Sequence, residues 1–200
     1  VRDYPQLTTI FREYGKRRRL LGVGSKGGLN EAIGNGRIRE IILVSEALHE
    51  QRIAQIATQI DQQKDVRLVL IAGPSASGKT TFSKRLSVQL LAEGIQPFPL
   101  ALDDYFVDRE ETPRDAKGNF NFEALEALDL ALFNEHLQGL MRGEEVQLPR
   151  FNFKTGTRER GDKVQLGPDH VIVVEGIHGL NPRLVAGVPE ERIYRIYVSA

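Results

Sequence analysis

The chain has 200 residues, and its 27 lysines and arginines are balanced by 27 aspartates and glutamates, so the formal net charge is zero. This balance argues against a broad positive surface for binding nucleic acid or an anionic membrane. The absence of cysteine excludes disulfides and thiolate metal sites, and no apolar run reaches membrane-spanning length. Since no signal peptide is visible after Val1, we predict a cytoplasmic location and no membrane partner. Nothing in the sequence indicates an oligomeric state.

The first part of the chain, residues 1–64, is predicted to be a helical lead-in. Four apolar residues near its start have the spacing of one helical face: Leu7, Ile10, Phe11 and Tyr14. The glycines between Gly22 and Gly36 then argue against regular structure. From Arg37 to about Gln63 the isoleucines return to one face at helical spacing, which predicts a long helix.

A phosphate-binding loop follows a predicted buried strand at residues 67–72. The pattern is a glycine, four free positions and Gly-Lys-Ser/Thr, and here it consists of Gly73, Pro74, Ser75, Ala76, Ser77, Gly78, Lys79 and Thr80. Glycines allow the backbone N–H groups to point at phosphate oxygens, and a helix beginning near Lys79 adds its positive dipole end. We predict that this loop and Thr81 bind a nucleotide, that Lys79 reaches the outer phosphates, and that the Thr80 hydroxyl ligates Mg²⁺.

Carboxylates follow two further predicted strands. Residues 96–102 lead into Asp103 and Asp104, and residues 171–174 lead into Glu175. Ligands of open α/β sheets bind outside the carboxyl ends of the strands, so we expect these side chains near the phosphate loop. Glu175 is the predicted second Mg²⁺ contact. Asp103 is a candidate general base with Asp104 as its rival, because adjacent side chains of an extended segment point opposite ways.

The remaining patterns complete an α/β fold. We predict a polar, mobile loop over residues 109–121, a helix over residues 122–141, a short extended piece at residues 146–149 and a strand at residues 193–198. The predicted fold is a three-layer P-loop NTPase-type domain with a mostly parallel sheet, preceded by the helical segment. Tyr105 and Phe106 could line an acceptor pocket, although core packing explains them equally well.

Four stretches together resemble the uridine kinase and phosphoribulokinase-like family of P-loop kinases. They are residues 73–80, Leu102-Asp103-Asp104-Tyr105-Phe106, Leu148-Pro149-Arg150-Phe151-Asn152-Phe153 and Glu175-Gly176-Ile177-His178-Gly179-Leu180. The resemblance covers about residues 67 to 200. It implies that Asp103 is the base and that Glu175 is the acidic residue beside the metal. It further implies that the acceptor is bound by the segments Tyr105-Phe106, Phe122-Glu123 and residues 150–158, with Tyr105, Phe106, Glu123, Phe151 and Arg158 as the site residues. It also implies that residues 65–200 are a kinase core without its C-terminal lid, and that residues 1–64 join it to an upstream domain.

The resulting hypothesis is a kinase that uses ATP and Mg²⁺ to phosphorylate a hydroxyl of a small molecule, most simply a nucleoside. Uridine kinases usually carry Asp-His-Pro where this chain has residues 123–125, so the acceptor side differs. One alternative is a phosphorylated sugar or pantothenate-like alcohol, which the following arginines keep open: Arg109, Arg114, Arg150, Arg158 and Arg160. The other is a nucleotide-binding regulatory module without efficient turnover, suggested by the basic cluster at residues 16–19.

Overall fold

The structure, a computed structural model, describes residues 15, 18–19 and 21–199. The α-helices are α1 (Lys26–Gly34), α2 (Ile38–Gln62), α3 (Lys79–Ala92) and α4 (Leu130–Met141). The strands are β1 (Leu68–Ala72), β2 (Gln96–Ala101), β3 (Val146–Asn152), β4 (Thr157–Val164), β5 (His170–Glu175) and β6 (Ile193–Tyr197). Packing divides the chain into two compact units, Val1–Arg52 and Ile53–Ala200, and the division falls inside α2.

The N-terminal unit contains a helix that the sequence analysis did not predict. α1 lies within the glycine-rich stretch, where the hydroxyl oxygen of Ser25 accepts a hydrogen bond of 3.1 Å from the backbone N–H of Gly28. This cap explains why a glycine-containing segment still forms a helical turn. The predicted long helix is confirmed as α2, whereas the predicted helix at residues 7–14 lies outside the described residues, as do Lys16 and Arg17. No helix of the described chain is long and apolar enough to cross a bilayer.

A four-stranded parallel sheet in the order β2-β5-β1-β6 forms the centre of the second unit. Alternate residues of β1 enter two different hydrophobic clusters, as the period of a strand requires. Leu68 and Leu70 belong to the cluster that contains Phe133 and Leu137 of α4. Val69 and Ile71 belong to the other cluster, with buried residues of α3 and of the C-terminal half of α2. Helices therefore cover both faces, which confirms the three-layer α/β prediction.

The edge strand β2 carries Pro97 and Pro99, which pair with Val171 and Val173 of β5. The backbone N–H of Gln96 donates to the carbonyl of Asp169, so the even-numbered residues of β2 direct their donors towards β5. The prolines occupy the odd-numbered positions, whose backbone nitrogens are directed away from β5 and out of the edge of the sheet. Because proline has no N–H group, these positions tolerate it without losing a ladder hydrogen bond.

Two elements differ from the sequence predictions. The predicted helix over residues 122–141 begins only at Leu130, where the Asp129 carboxylate accepts a hydrogen bond of 3.0 Å from the N–H of Leu132. β4 was not predicted, because most of its residues are polar and exposed, so its sequence has no alternation of apolar and polar residues. It pairs antiparallel with β3 in a separate two-stranded sheet, and Gly156 takes a φ of +75° in the connecting turn.

The strand register determines where the functional loops meet. Glu175, the last residue of β5, is level with Ile71 of β1 and with Ala101 of β2. The phosphate loop therefore leaves one neighbour of β5, and the 3-10 helix Leu102–Tyr105 leaves the other. All three segments emerge at one edge of the sheet because the strands are parallel.

Candidate active site

The phosphate loop joins β1 to α3 through strained and crowded backbone positions. Gly78 has a φ of +82° and Ala76 a φ of +59°, which turn the backbone into the left-handed region. A Cβ atom on Gly73 would lie 2.2 Å from the carbonyl oxygen of Val198 and 2.8 Å from the Ser77 hydroxyl oxygen. α3 begins at Lys79, so its free N–H groups lie at the loop. This backbone is suited to receive a phosphate chain.

A cleft of about 320 Å³ opens beside this loop at the carboxyl ends of the strands. It brings together several predicted site residues, namely Ser75, Lys79, Thr80, Asp103, Phe106, Glu123 and Glu175. The remaining lining residues are Ala101, Leu102, Phe122, Leu128, Gly176, Ile177 and His178. Segments distant in sequence thus converge on one concave surface that contains both polar and aromatic groups.

The cleft contains a suitable pair of oxygen ligands for a magnesium ion. The Thr80 hydroxyl donates a hydrogen bond of 2.7 Å to a carboxylate oxygen of Glu175. A hydroxyl and a carboxylate in contact match the hard oxygen ligands that Mg²⁺ takes in nucleotide sites, where phosphates and water complete the coordination. Within the described residues there is no cluster of three or more His, Cys, Asp or Glu side chains suited to holding a metal ion. Thr80 and Glu175 fit a nucleotide-bridged ion and not a closed metal cage.

Lys79 and Asp103 both line the cleft. The Lys79 ammonium donates a hydrogen bond of 2.8 Å to the carbonyl of Pro74, so it already points back along the loop. Asp103 is open to the cleft, yet the surrounding protein removes part of its hydration. This burial, together with the negative charges of Glu175 and Asp104, raises the pKa of Asp103 above its usual value, while Lys79 acts to lower it.

Asp104 has a different environment from its neighbour. Its carboxylate accepts a hydrogen bond of 3.0 Å from the backbone N–H of Phe151 in β3, and it does not line the cleft. The geometry thus separates the two carboxylates that the sequence left as rivals. Asp103 faces the cleft, and Asp104 bonds to the hairpin.

Phe106 and Glu123, two of the predicted acceptor residues, line the cleft. The Phe106 ring makes edge contacts with three other phenylalanines, at centroid distances of 5.7 Å to Phe122, 5.6 Å to Phe151 and 6.3 Å to Phe153. Such edge-to-face packing holds aromatic rings in fixed orientations. Phe106 and Phe122 therefore form a packed apolar part of the cleft wall.

Three predicted acceptor residues do not line this cleft. Tyr105 is only 1% exposed, and it packs edge to face on Phe133 with its hydroxyl 3.2 Å from the ring nitrogen Nδ1 of His136. Phe151 is buried beneath Phe106. The Arg158 guanidinium donates a hydrogen bond of 2.8 Å to the Asp129 carboxylate. The placement of Tyr105 corrects the prediction: the short helix turns its large ring into the core, where an apolar body is favoured.

Phe122, which the resemblance placed in the acceptor segment, lines the cleft. The sequence analysis gave no role to two further lining residues, Leu128 and Ile177. Leu128 belongs to no recognisable motif, and Ile177 was quoted only as part of the motif that follows Glu175. Thr81, by contrast, is exposed in the first turn of α3 and is not among the lining residues.

Two buried polar atoms of the described residues lack a hydrogen-bond partner, the Ser77 hydroxyl and Nε2 of His178. Both belong to loops that border the cleft region, the phosphate loop and the turn after β5. A buried unpaired group of this kind costs about 1–3 kcal/mol. Orphaned groups beside a cleft are consistent with a site that is completed by a ligand.

Comparison with known proteins places this geometry in a family. Residues 68–199 match the Phosphoribulokinase / Uridine kinase family. The chain belongs to this family. The matched region includes every element of the second unit from β1 to β6, and hence the whole of the cleft.

Two curated relatives agree with the family assignment. The chain is similar to a uridine kinase of Oceanobacillus iheyensis, with 35% identity over 125 residues, which is 62% of this chain and 58% of that protein. It is also similar to a uridine kinase of Halobacterium salinarum, with 29% identity over 62% of this chain and 53% of that protein. A solved structure described as a possible uridine kinase from Bacillus stearothermophilus shares 27% identity at a TM-score of 0.49, over 66% of this chain and 70% of the other. The chain thus spans little more than half the length of the curated relatives it matches.

Proposed function

We propose that this protein is a cytoplasmic kinase that transfers the γ-phosphate of ATP to a hydroxyl of a nucleoside, with Mg²⁺ as the required ion. One observation carries the proposal: the bonded pair Thr80–Glu175 shares a single cleft with Lys79 and Asp103. Phosphoryl transfer requires a phosphate cradle, ligands for a divalent ion and a group that orients the acceptor. Family membership supports a kinase, and the nucleoside acceptor and the activity of the whole protein are part of the proposal.

Each polar residue has a distinct role in this reaction. The backbone of residues 73–80 binds the phosphate oxygens, and the Lys79 ammonium exchanges the carbonyl of Pro74 for the outer phosphates. Thr80 and Glu175 would hold the magnesium ion, which when bound offsets the negative charge of the phosphates. Asp103 accepts the proton of the acceptor hydroxyl and aims its oxygen at the γ-phosphate. The turn at Ile177 and His178 forms another part of the cleft wall.

The charge of the acceptor end favours an uncharged substrate. Among the described residues that line this cleft, Lys79 is the only lysine or arginine. Arg109 and Arg158 are engaged elsewhere, the first with the carbonyl of Phe153 and the second with Asp129. Asp103 and Glu123 would repel a second phosphate group. A nucleoside, which has hydroxyls and a flat base but no charge, suits this combination better than a phosphorylated sugar.

The proposal is tested by offering the full-length protein a panel of acceptors with ATP and Mg²⁺. The panel contains pyrimidine and purine nucleosides, free sugars, sugar phosphates and pantothenate. We expect the highest kcat/KM with a nucleoside. Preference for a sugar phosphate would overturn the assigned acceptor while leaving a kinase. ATP binding by calorimetry without transfer to any acceptor would instead support the regulatory module.

A further inference from the structure

The hairpin formed by β3 and β4 depends on contacts outside its own sheet. It forms a separate two-stranded sheet, and an isolated two-stranded hairpin is marginally stable in water. Its position beside the cleft must therefore come from the segments that it contacts. The principal one begins with the 3-10 helix Leu102–Tyr105, against which β3 packs, and continues to Arg109.

Two carboxylates of that segment bind the two strands of the hairpin. Asp104 accepts a hydrogen bond of 3.0 Å from the N–H of Phe151 in β3. Asp108 accepts a hydrogen bond of 3.0 Å from the N–H of Arg158 in β4. Each aspartate thus binds a different strand, although only three residues separate them in the sequence.

The two bound amides belong to the same rung of the hairpin. Phe151 and Arg158 are directly opposite each other in the register of β3 and β4. In a non-hydrogen-bonded pair of an antiparallel ladder, both N–H groups point away from the partner strand. Asp104 and Asp108 therefore reach this rung from its two opposite edges. Exposed N–H groups at sheet edges need partners, and carboxylates are strong acceptors for them.

Arg109 fixes the turn of the same hairpin. Its backbone N–H donates to the carbonyl of Gly156 at 2.8 Å, and its guanidinium donates to the carbonyl of Phe153 at 2.8 Å. A Cβ atom on Gly156 would lie only 2.7 Å from the Arg109 side chain. The hairpin is thus held at both strands and at its tip.

The segment that holds the hairpin also carries the chemistry of the cleft. Asp103 directly precedes Asp104, and Phe106 lies between Asp104 and Asp108 in the sequence. Phe106 lines the cleft and contacts the rings of Phe151 and Phe153 in the hairpin. A displacement of the hairpin would therefore displace both the apolar wall and the base.

We propose that Asp104 and Asp108 are positioning residues that clamp the β3–β4 hairpin to the segment carrying Asp103, so that the acceptor wall and the base move as one unit. This inference rests on the proposed kinase function for its effect on phosphate transfer. The hydrogen bonds of the clamp go to the hairpin and not to the phosphate loop, so the clamp is expected to affect the acceptor more than the nucleotide. Misplacement of reacting groups by about 1 Å can cost 10²-fold in rate, which is enough to make such a clamp measurable.

The test uses the full-length protein and pairs of variants at each aspartate. Asp104→Ala and Asp108→Ala remove the acceptor oxygen, whereas Asp104→Asn and Asp108→Asn keep one. The matched control is Asp115→Ala, because Asp115 accepts backbone N–H groups from Lys117 and Asn119 within its own turn and joins no second element. The readouts are kcat/KM for the acceptor, the dissociation constant for ATP, and the ratio of phosphate transferred to ATP hydrolysed without transfer.

Each alanine variant is expected to lower kcat/KM for the acceptor by about 10- to 100-fold and to lower the transfer ratio. ATP binding should change by less than about twofold, and the asparagine variants should recover most of the loss. Alanine variants that melt at lower temperature but keep the transfer ratio would overturn the positioning role. The control should leave the ratio unchanged.

Hydrogen exchange separates failure of this inference from failure of the proposed function. Asp104→Ala should accelerate exchange at the Phe151 amide, and Asp108→Ala at the Arg158 amide. If the wild-type protein phosphorylates no acceptor, the proposed function fails, and the exchange rates still decide whether the clamp exists. Unchanged protection at both amides would refute the clamp whatever the activity.

Discussion

Asp103 and Asp104 are neighbours in the sequence with different surroundings in the structure. The short 3-10 helix directs Asp103 to the cleft and Asp104 to the amide of Phe151. The first lines the cleft, where we propose that it accepts a proton from the substrate, whereas the second accepts a hydrogen bond from a backbone N–H group. Substitutions at the two positions should therefore fail in different ways.

Replacing Asp103 by asparagine should abolish most of the proton transfer without harming nucleotide binding. Asparagine has nearly the same shape but cannot act as a base, and general-base catalysis contributes about 10²- to 10⁴-fold. We expect kcat to decrease by a factor within that range and the ATP affinity measured by calorimetry to stay unchanged. A variant that retains the wild-type kcat would show that the base is another group.

The same substitution should stabilise the protein at neutral pH. The pKa of Asp103 is raised in the folded state by burial and by the charges of Glu175 and Asp104. Between the ordinary and the raised pKa, the folded chain therefore binds more protons than the unfolded chain. Stability therefore falls as pH rises from the ordinary aspartate pKa of about 3.9 through the raised value. Asp103→Asn removes this loss, so its advantage over the wild type should be present at pH 7 and shrink towards pH 4.

Asp115 provides a control of opposite sign for that measurement. Hydrogen bonds from the backbone, chiefly from Asn119, lower the pKa of Asp115. Its ionised form therefore stabilises the folded state above the ordinary aspartate pKa, and Asp115→Asn should reduce stability at pH 7. Thermal melts of both variants between pH 4 and pH 7 check the two directions together. Parallel shifts would contradict the assigned cause.

Among the structural elements, the phosphate loop depends most on the close approach of the backbone. Adding one methyl group at Gly73 would place a carbon 2.2 Å from the Val198 carbonyl, far inside van der Waals contact. We expect Gly73→Ala to destabilise the protein by about 1–3 kcal/mol and to weaken ATP binding, as measured by urea denaturation and calorimetry. Gly34→Ala is the control, because its Cβ would meet nothing within 4 Å and should leave both quantities nearly unchanged.

The sequence predicted the elements that have a motif or a regular apolar period. The phosphate loop, α2 and the parallel strands follow from such patterns, and Glu175 was recognised because it ends an apolar run. β4 was missed because exposed strands carry no apolar alternation. The orientation of Tyr105 and the pairing of Arg158 with Asp129 were also missed, since both depend on contacts between distant segments.

For the whole molecule, the two faces of the sheet should contribute separately to stability. Leu86 of α3 and Leu137 of α4 are both fully buried, but they belong to different hydrophobic clusters. Each substitution to alanine should cost about 2–5 kcal/mol. The double variant should lose close to the sum, because residues without shared partners are usually additive. The measurement is urea denaturation. Val88→Ala is the control, because Val88 is 64% exposed.

The prolines of β2 have a consequence for self-association. Because Pro97 and Pro99 have no N–H group, the edge strand β2 lacks hydrogen-bond donors at two successive positions that face out of the sheet. A foreign strand approaching from that side would meet carbonyl oxygens without the amide protons needed to complete a ladder. The two proline rings thereby block polymerisation by strand pairing along the outer edge of β2. Protection of this kind does not depend on salt or pH, unlike protection by charged side chains.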